Sequence, residues 1–242
     1  MKVIMSVLEQ IYPEARTVDV EIHPIEKPKI VGIGLKESTL YEARVTMEGE
    51  LMQWLMKVFD SPYCQPHYPD QFYTMHAVVA SAGFPTIPEV YKDPNKWRAY
   101  YVTDLTQGGT HACLSLSDWS YYMHRRGLRE GQGAFFLENG VEISDQLGHL
   151  LKKASSEGFH FGSPDVFFIV VDCSSSVGEL LVGDFRYVTR RSIDTSTKQA
   201  RLCEDNWKTG KAYSSMMNWY LTSSEQANPL RTPTREEITT FG

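Results

Sequence analysis

The sequence predicts an α+β fold, a mainly antiparallel sheet built from hairpins with about four or five interleaved helices. Some short runs alternate apolar and polar residues with period two, whereas others repeat apolar residues at three and four. The runs are joined by tight turn signals such as Gly108-Gly109 and Asn139-Gly140, which suit antiparallel neighbours rather than long crossovers. The clearest single run is Val166 to Val171, unbroken, β-branched and aromatic, bounded by Pro164 and by Asp172-Cys-Ser-Ser-Ser176. It reads as a strand buried on both faces and as the centre of the sheet.

Taken in order, residues 1–11 carry Val3, Ile4, Val7, Leu8 and Ile11 on one face of a short helix that stops before Pro13. Residues 18–22 alternate as a half-buried strand, and 29–35 and 40–47 read as two more. After Gly49 the spacing of Leu51, Trp54, Leu55, Val58 and Phe59 predicts a helix over 51–59. Residues 61–94 hold six prolines and read as loop, with one strand at 72–79. A hairpin is expected from 97–105 and 110–117, with His111, Cys113 and Ser115 on one face of its second strand. Ser117 then caps a helix to Arg126, closed by Gly127.

A second hairpin is expected over 134–144, since Asn139-Gly140 suits the positive φ angles of a type I′ turn. A helix follows with Ile143, Leu147, Leu150, Leu151 and Ala154 inward and Asp145, His149, Lys152 and Lys153 outward. Residues 179–189 are the expected antiparallel neighbour of the apolar strand. A helix over 211–221 ends the ordered pattern. One domain over 1–222 is expected, followed by a polar tail, 223–242, that should be disordered in isolation.

The net charge of −6 argues against a protein whose main task is neutralising nucleic-acid phosphates. No secretory signal or membrane-spanning run is read, and the four cysteines are widely spaced with no Cys-x-x-Cys. Free thiols in the cytoplasm or in a virus particle are therefore expected, with no membrane partner.

The candidate chemistry falls into three groups. Asp172-Cys-Ser-Ser-Ser176 holds Asp-x-Ser-x-Ser directly after a strand. It resembles the metal loop of von Willebrand A domains, and that resemblance implies a hard divalent cation on carboxylate and hydroxyl oxygens. The same residues through Arg186 resemble the late strand pair of JAMM-type metalloprotease domains, a resemblance implying a metal-dependent hydrolase. That family's His-x-His-Pro segment is absent. The competing reading is a Ser-rich hairpin loop whose hydroxyls satisfy local backbone groups. Cys173 as a nucleophile lacks a following histidine base, because no His occurs after His160.

The second group is Cys64-Gln-Pro-His67 with His111-Ala-Cys113, two sulfurs and two imidazoles that suit tetrahedral zinc if the loop meets the strand. The third is His76 with Tyr121. Phe72-Tyr-Thr-Met-His76 and Ser117-Asp-Trp-Ser-Tyr121 resemble the strand-borne His and later Ser/Tyr segment of ADP-ribosyl transferases. Asp145 with His149 and Glu157 with His160 read as acid–His pairs on an exposed helix face. A Walker A loop and Gly-x-Gly-x-x-Gly are absent.

No catalytic constellation is complete, and 13 Tyr and 5 Trp offer contact residues. The expected function is thus a non-enzymatic assembly protein that self-associates or joins a larger particle. The rival is an enzyme with a pocket near His76, His111 and Cys113 or at the Asp172 loop.

Overall fold

The structure is a computed structural model that describes residues 13–14, 18–24, 39–59, 68–87, 91–92, 99–104, 111–116, 135–219, 221–222 and 229–239. The fold is α+β. The first sheet comprises β1 (Val18–Pro24), β2 (Thr39–Met47), β3 (Glu50–Phe59), β4 (Tyr91–Lys92) and β5 (Ala99–Asp104), in the order β1-β2-β3-β5-β4 and antiparallel throughout.

The structure corrects the helix expected over 51–59, which is the strand β3. Leu51, Trp54, Leu55, Val58 and Phe59 do fit a helical stripe. However, Met52, Trp54, Met56 and Val58 also alternate, so the apolar content supports both periods. The preceding turn decides: Glu48 and Gly49 have φ of 52° and 87°, the paired positive values of a tight hairpin. That turn sets Val45 against Met52 and Ala43 against Trp54 in the register, with Val45 and Trp54 buried.

The strand expected at 72–79 is likewise a helix, α1 (Tyr68–Ser81). Phe72 and Val79 are buried on one face, two turns apart, and Met75 and Val78 pack against the same core. The hairpin of 97–105 with 110–117 is also corrected. Both strands exist, but β5 pairs with β3 and β4, while β6 (His111–Ser115) pairs with a strand far along the chain.

That distant strand is β9 (Phe167–Asp172), the apolar run of the sequence, central between β10 (Gly178–Val182) and β6. Phe167 to Val171 are all buried, as a strand covered on both faces requires. Residues 85–87 line the outer edge of β10: Val182 N–H donates to Pro85 O at 2.9 Å and Ile87 N–H to Val182 O at 3.0 Å. The expected strand over 179–189 is split, because a turn at 183–187 sends the chain to β11 (Val188–Arg190), which pairs with β8 (Phe159–Phe161). Finally, β7 (Phe135–Phe136) runs parallel to β12 (Leu221–Thr222).

The hairpin expected over 134–144 is absent, and α2 (Gly140–Glu157) begins at Gly140. Asn139 has φ of −105°, outside the range a type I′ turn needs. Its side chain instead accepts from Gly178 N–H at 2.7 Å and donates to Gly178 O at 2.8 Å, tying the helix start to β10. The predicted inner face of Ile143, Leu147, Leu150, Leu151 and Ala154 is buried as expected. Gly158, at φ 83°, closes the helix in the left-handed conformation.

The last long helix, α3 (Ser196–Met217), starts well before the expected residue 211, with the Thr195 hydroxyl accepting from Lys198 N–H at 3.2 Å. Its first half is polar, so its apolar pattern alone does not reveal it. Residues 229–239 correct the expectation of a tail without anchors. Leu230, Pro233 and Ile238 are buried, and the short α4 (Arg235–Thr239) packs on α2 and α3. The helices expected over 1–11 and 117–126 and the strand over 29–35 lie outside the described residues.

Candidate functional site

At the end of β9, Asp172 closes the β9–β10 hairpin. One carboxylate oxygen accepts from Ser174 N–H at 2.7 Å, from the Ser174 hydroxyl at 2.6 Å and from Ser175 N–H at 3.4 Å. The Ser175 hydroxyl accepts from Val177 N–H at 3.3 Å. These are the local bonds of an Asx turn, as a Ser-rich hairpin loop makes. The Ser174 hydroxyl, followed by its backbone N–H, holds the Asp172 carboxyl below its usual range, with His111 adding a smaller pull in the same direction.

His111 is there because β6 pairs with β9 in a register that puts His111 directly opposite Asp172. Two of the sequence candidates thus meet. Cys113 lies opposite Val170 on the same strand, while Cys64, His67 and Tyr121 lie outside the described residues. Cys173 is exposed and free. His76 is not strand-borne, as the transferase resemblance implies, but sits on α1. Its Nε2 is 3.4 Å from Ile87 O, and its ring meets Phe185 edge-on with centroids 4.9 Å apart.

Phe185 opens a cluster that the sequence reading missed. It follows Gly183 and Asp184 in the turn after β10 and is fully buried, also edge-on to Phe72 at 5.5 Å. Val166 O accepts from both Gly183 N–H at 2.7 Å and Asp184 N–H at 3.3 Å, so the turn is latched to the segment leading into β9. Asp184 accepts from Arg186 N–H at 3.1 Å, and its other oxygen is 3.5 Å from Arg186 Nη2. The guanidinium also lies over the Tyr187 ring, 4.3 Å from its centre.

Strand β8, which leads toward β9, is held from α3. Asn206, fully buried, accepts from Phe161 N–H at 3.0 Å and donates to Phe159 O at 2.9 Å and Ser155 Oγ at 3.0 Å. The Thr209 hydroxyl donates to Phe161 O at 2.7 Å. One residue away, Arg191 bridges Asp205 at 2.8 Å and His160 Nδ1 at 2.9 Å. Burial, then the Arg191 charge, hold His160 below its ordinary value, against a smaller opposing pull from Asp205. His160 therefore belongs to β8 and to these partners, which corrects its expected pairing with Glu157 on a helix face. Asp145 similarly pairs with Arg231 at 3.0 Å, across a cleft of about 420 Å³ between α2 and residues 231–237 that His149 also lines.

Among the described residues no group of three or more His, Cys, Asp or Glu side chains is placed to hold a metal ion. None of the described helices is long and apolar enough to cross a membrane. No protein-family model matches the chain, and no curated protein matches it.

Proposed function

We propose that this chain is a kinase-like module that does not transfer phosphate and acts by binding protein partners. What carries the proposal is the residue set at the turn before β9, weighed against the scaffold around it. Protein kinases place a lysine on the third strand, a glutamate on the following helix, a His-Arg-Asp-x-x-x-x-Asn loop, and an Asp-Phe-Gly turn that holds magnesium. This chain has counterparts of several of these parts in the same order. Lys57 lies on β3, α1 follows, and Gly183-Asp184-Phe185 follows the β9–β10 hairpin with Phe185 packed on α1. Gly32 and Gly34 stand between β1 and β2 in the sequence, without the third glycine of a phosphate loop.

The chemical groups are missing from that frame. His160-Phe161-Gly162 stands where His-Arg-Asp would, so glycine replaces the base that accepts the substrate hydroxyl proton. Five residues on, buried Phe167 replaces the asparagine that holds the second metal. Asp165, which follows Gly162-Ser163-Pro164, takes the Ser163 hydroxyl at 3.4 Å. Helix α1 contains no glutamate to pair with Lys57. With the base and the second-metal asparagine replaced and no helix glutamate to pair with Lys57, the frame lacks groups on which phosphoryl transfer depends.

Association is the remaining use of such a scaffold. Exposed Tyr73, Phe136, Val141, Val177 and Trp219 offer contact residues for it, and the widely spaced cysteines fit a cytoplasmic setting. Fold-level analogy supports the architecture, and the substituted residues support the silence. The test is incubation of the purified chain with γ-labelled ATP, magnesium or manganese, and generic protein substrates. Label transfer no greater than that of a heat-denatured control is expected. Transfer that disappears in Lys57→Met would overturn the reading.

A further inference from the structure

The turn Gly183-Asp184-Phe185-Arg186 departs from its expected chemistry at its last residue, where an arginine stands in place of glycine. We propose that Arg186 is the fixed counter-ion of Asp184 and bars a divalent cation from this turn. The inference rests on the kinase-like reading above and concerns the same carboxylate.

Both carboxylate oxygens of Asp184 face Arg186, one taking its backbone N–H at 3.1 Å and the other lying 3.5 Å from its guanidinium. Magnesium needs oxygen ligands at about 2.0–2.1 Å in octahedral array and sheds its own water reluctantly. A guanidinium that close to the same oxygen opposes a second positive charge. The guanidinium is also held from its other side, over Tyr187 at 4.3 Å, and only 21% of the Arg186 side chain is exposed. Swinging it away would forfeit that stacking.

Backbone latches from Gly183 and Asp184 to Val166 fix the turn, and the carboxylate would have to give up both Arg186 contacts to turn toward other oxygens. The residues present do not fit a divalent cation, and a protein cation occupies the role instead. The turn keeps its charge balance without any soluble ion.

The test uses Mn²⁺ alone, followed by its electron paramagnetic resonance signal in titrations of the full chain. The wild type and Asp184→Asn should leave the same amount of Mn²⁺ free. Arg186→Gly should retain at least tenfold more Mn²⁺ than the wild type, and the double variant with Asp184→Asn should lose that gain. A wild-type site that Asp184→Asn removes would overturn the proposal, as would a folded Arg186→Gly that gains nothing. Thermal melts establish that the variants fold. If Arg186→Gly does not, the comparison of wild type with Asp184→Asn still decides. Phosphate transfer is not read in this experiment, so its failure is separate from that of the functional reading.

Discussion

Asn206 stands on the face of α3 that packs against β8, and its amide meets three partners contributed by other elements. Replacing it with Ala would leave Phe161 N–H, Phe159 O and Ser155 Oγ buried and short of a partner. Each such loss costs about 1–3 kcal/mol, so Asn206→Ala should lower stability by roughly 3 kcal/mol or more. Urea denaturation measures this, and an unchanged midpoint would refute it. His160 makes a pH prediction. Its folded-state pKa is depressed by burial and by Arg191, so the unfolded chain takes up a proton first, near pH ~6.5. Stability contributed by neutral His160 is then full above that value and falls as the pH drops below it. His160→Gln should flatten the decline of Tm below pH ~6.5; parallel curves for the two proteins would count against this. Asn206 carries no signal in the sequence and His160 is read there with Glu157, because neither side chain announces partners 31 to 51 positions away.

At the scale of elements, legibility followed the number of ways a pattern could be buried. The run from Val166 to Val171 fits little besides a strand covered on both faces, and from Phe167 onward it is one, Val166 closing the short 3₁₀ turn before it. The inner face of α2 also emerged residue by residue, since 18 residues give a helical period room to declare itself. By contrast, 51–59 and 72–79 are short and apolar on more than one period, and context reversed both. The C-terminal segment shows the opposite error. Its composition is polar, yet Leu230 and Ile238 are buried, and Asn218 brackets Leu230 by accepting from its N–H at 2.9 Å and donating to its carbonyl at 2.7 Å. Leu230→Ala should therefore destabilise the chain by about 2–4 kcal/mol, as a core truncation does. A change below the error of a denaturant melt would show that the segment is not part of the core.

For the whole molecule, the sequence by itself determined the α+β class, the central strand and the amphipathic face of α2. Those are local properties, written in periodicity and in residue type. Only the tertiary structure decided which strands pair, that His111 faces Asp172, that Phe185 rests on α1, and that Arg186 covers Asp184. Pairing and burial are chosen by competition among all the faces a chain must hide at once. A two-residue turn or a polar triplet acquires its role only from what packs against it. The cluster of Asp184, Phe185 and Arg186 was present in the sequence from the start, but its meaning came from the helix and the loop it touches.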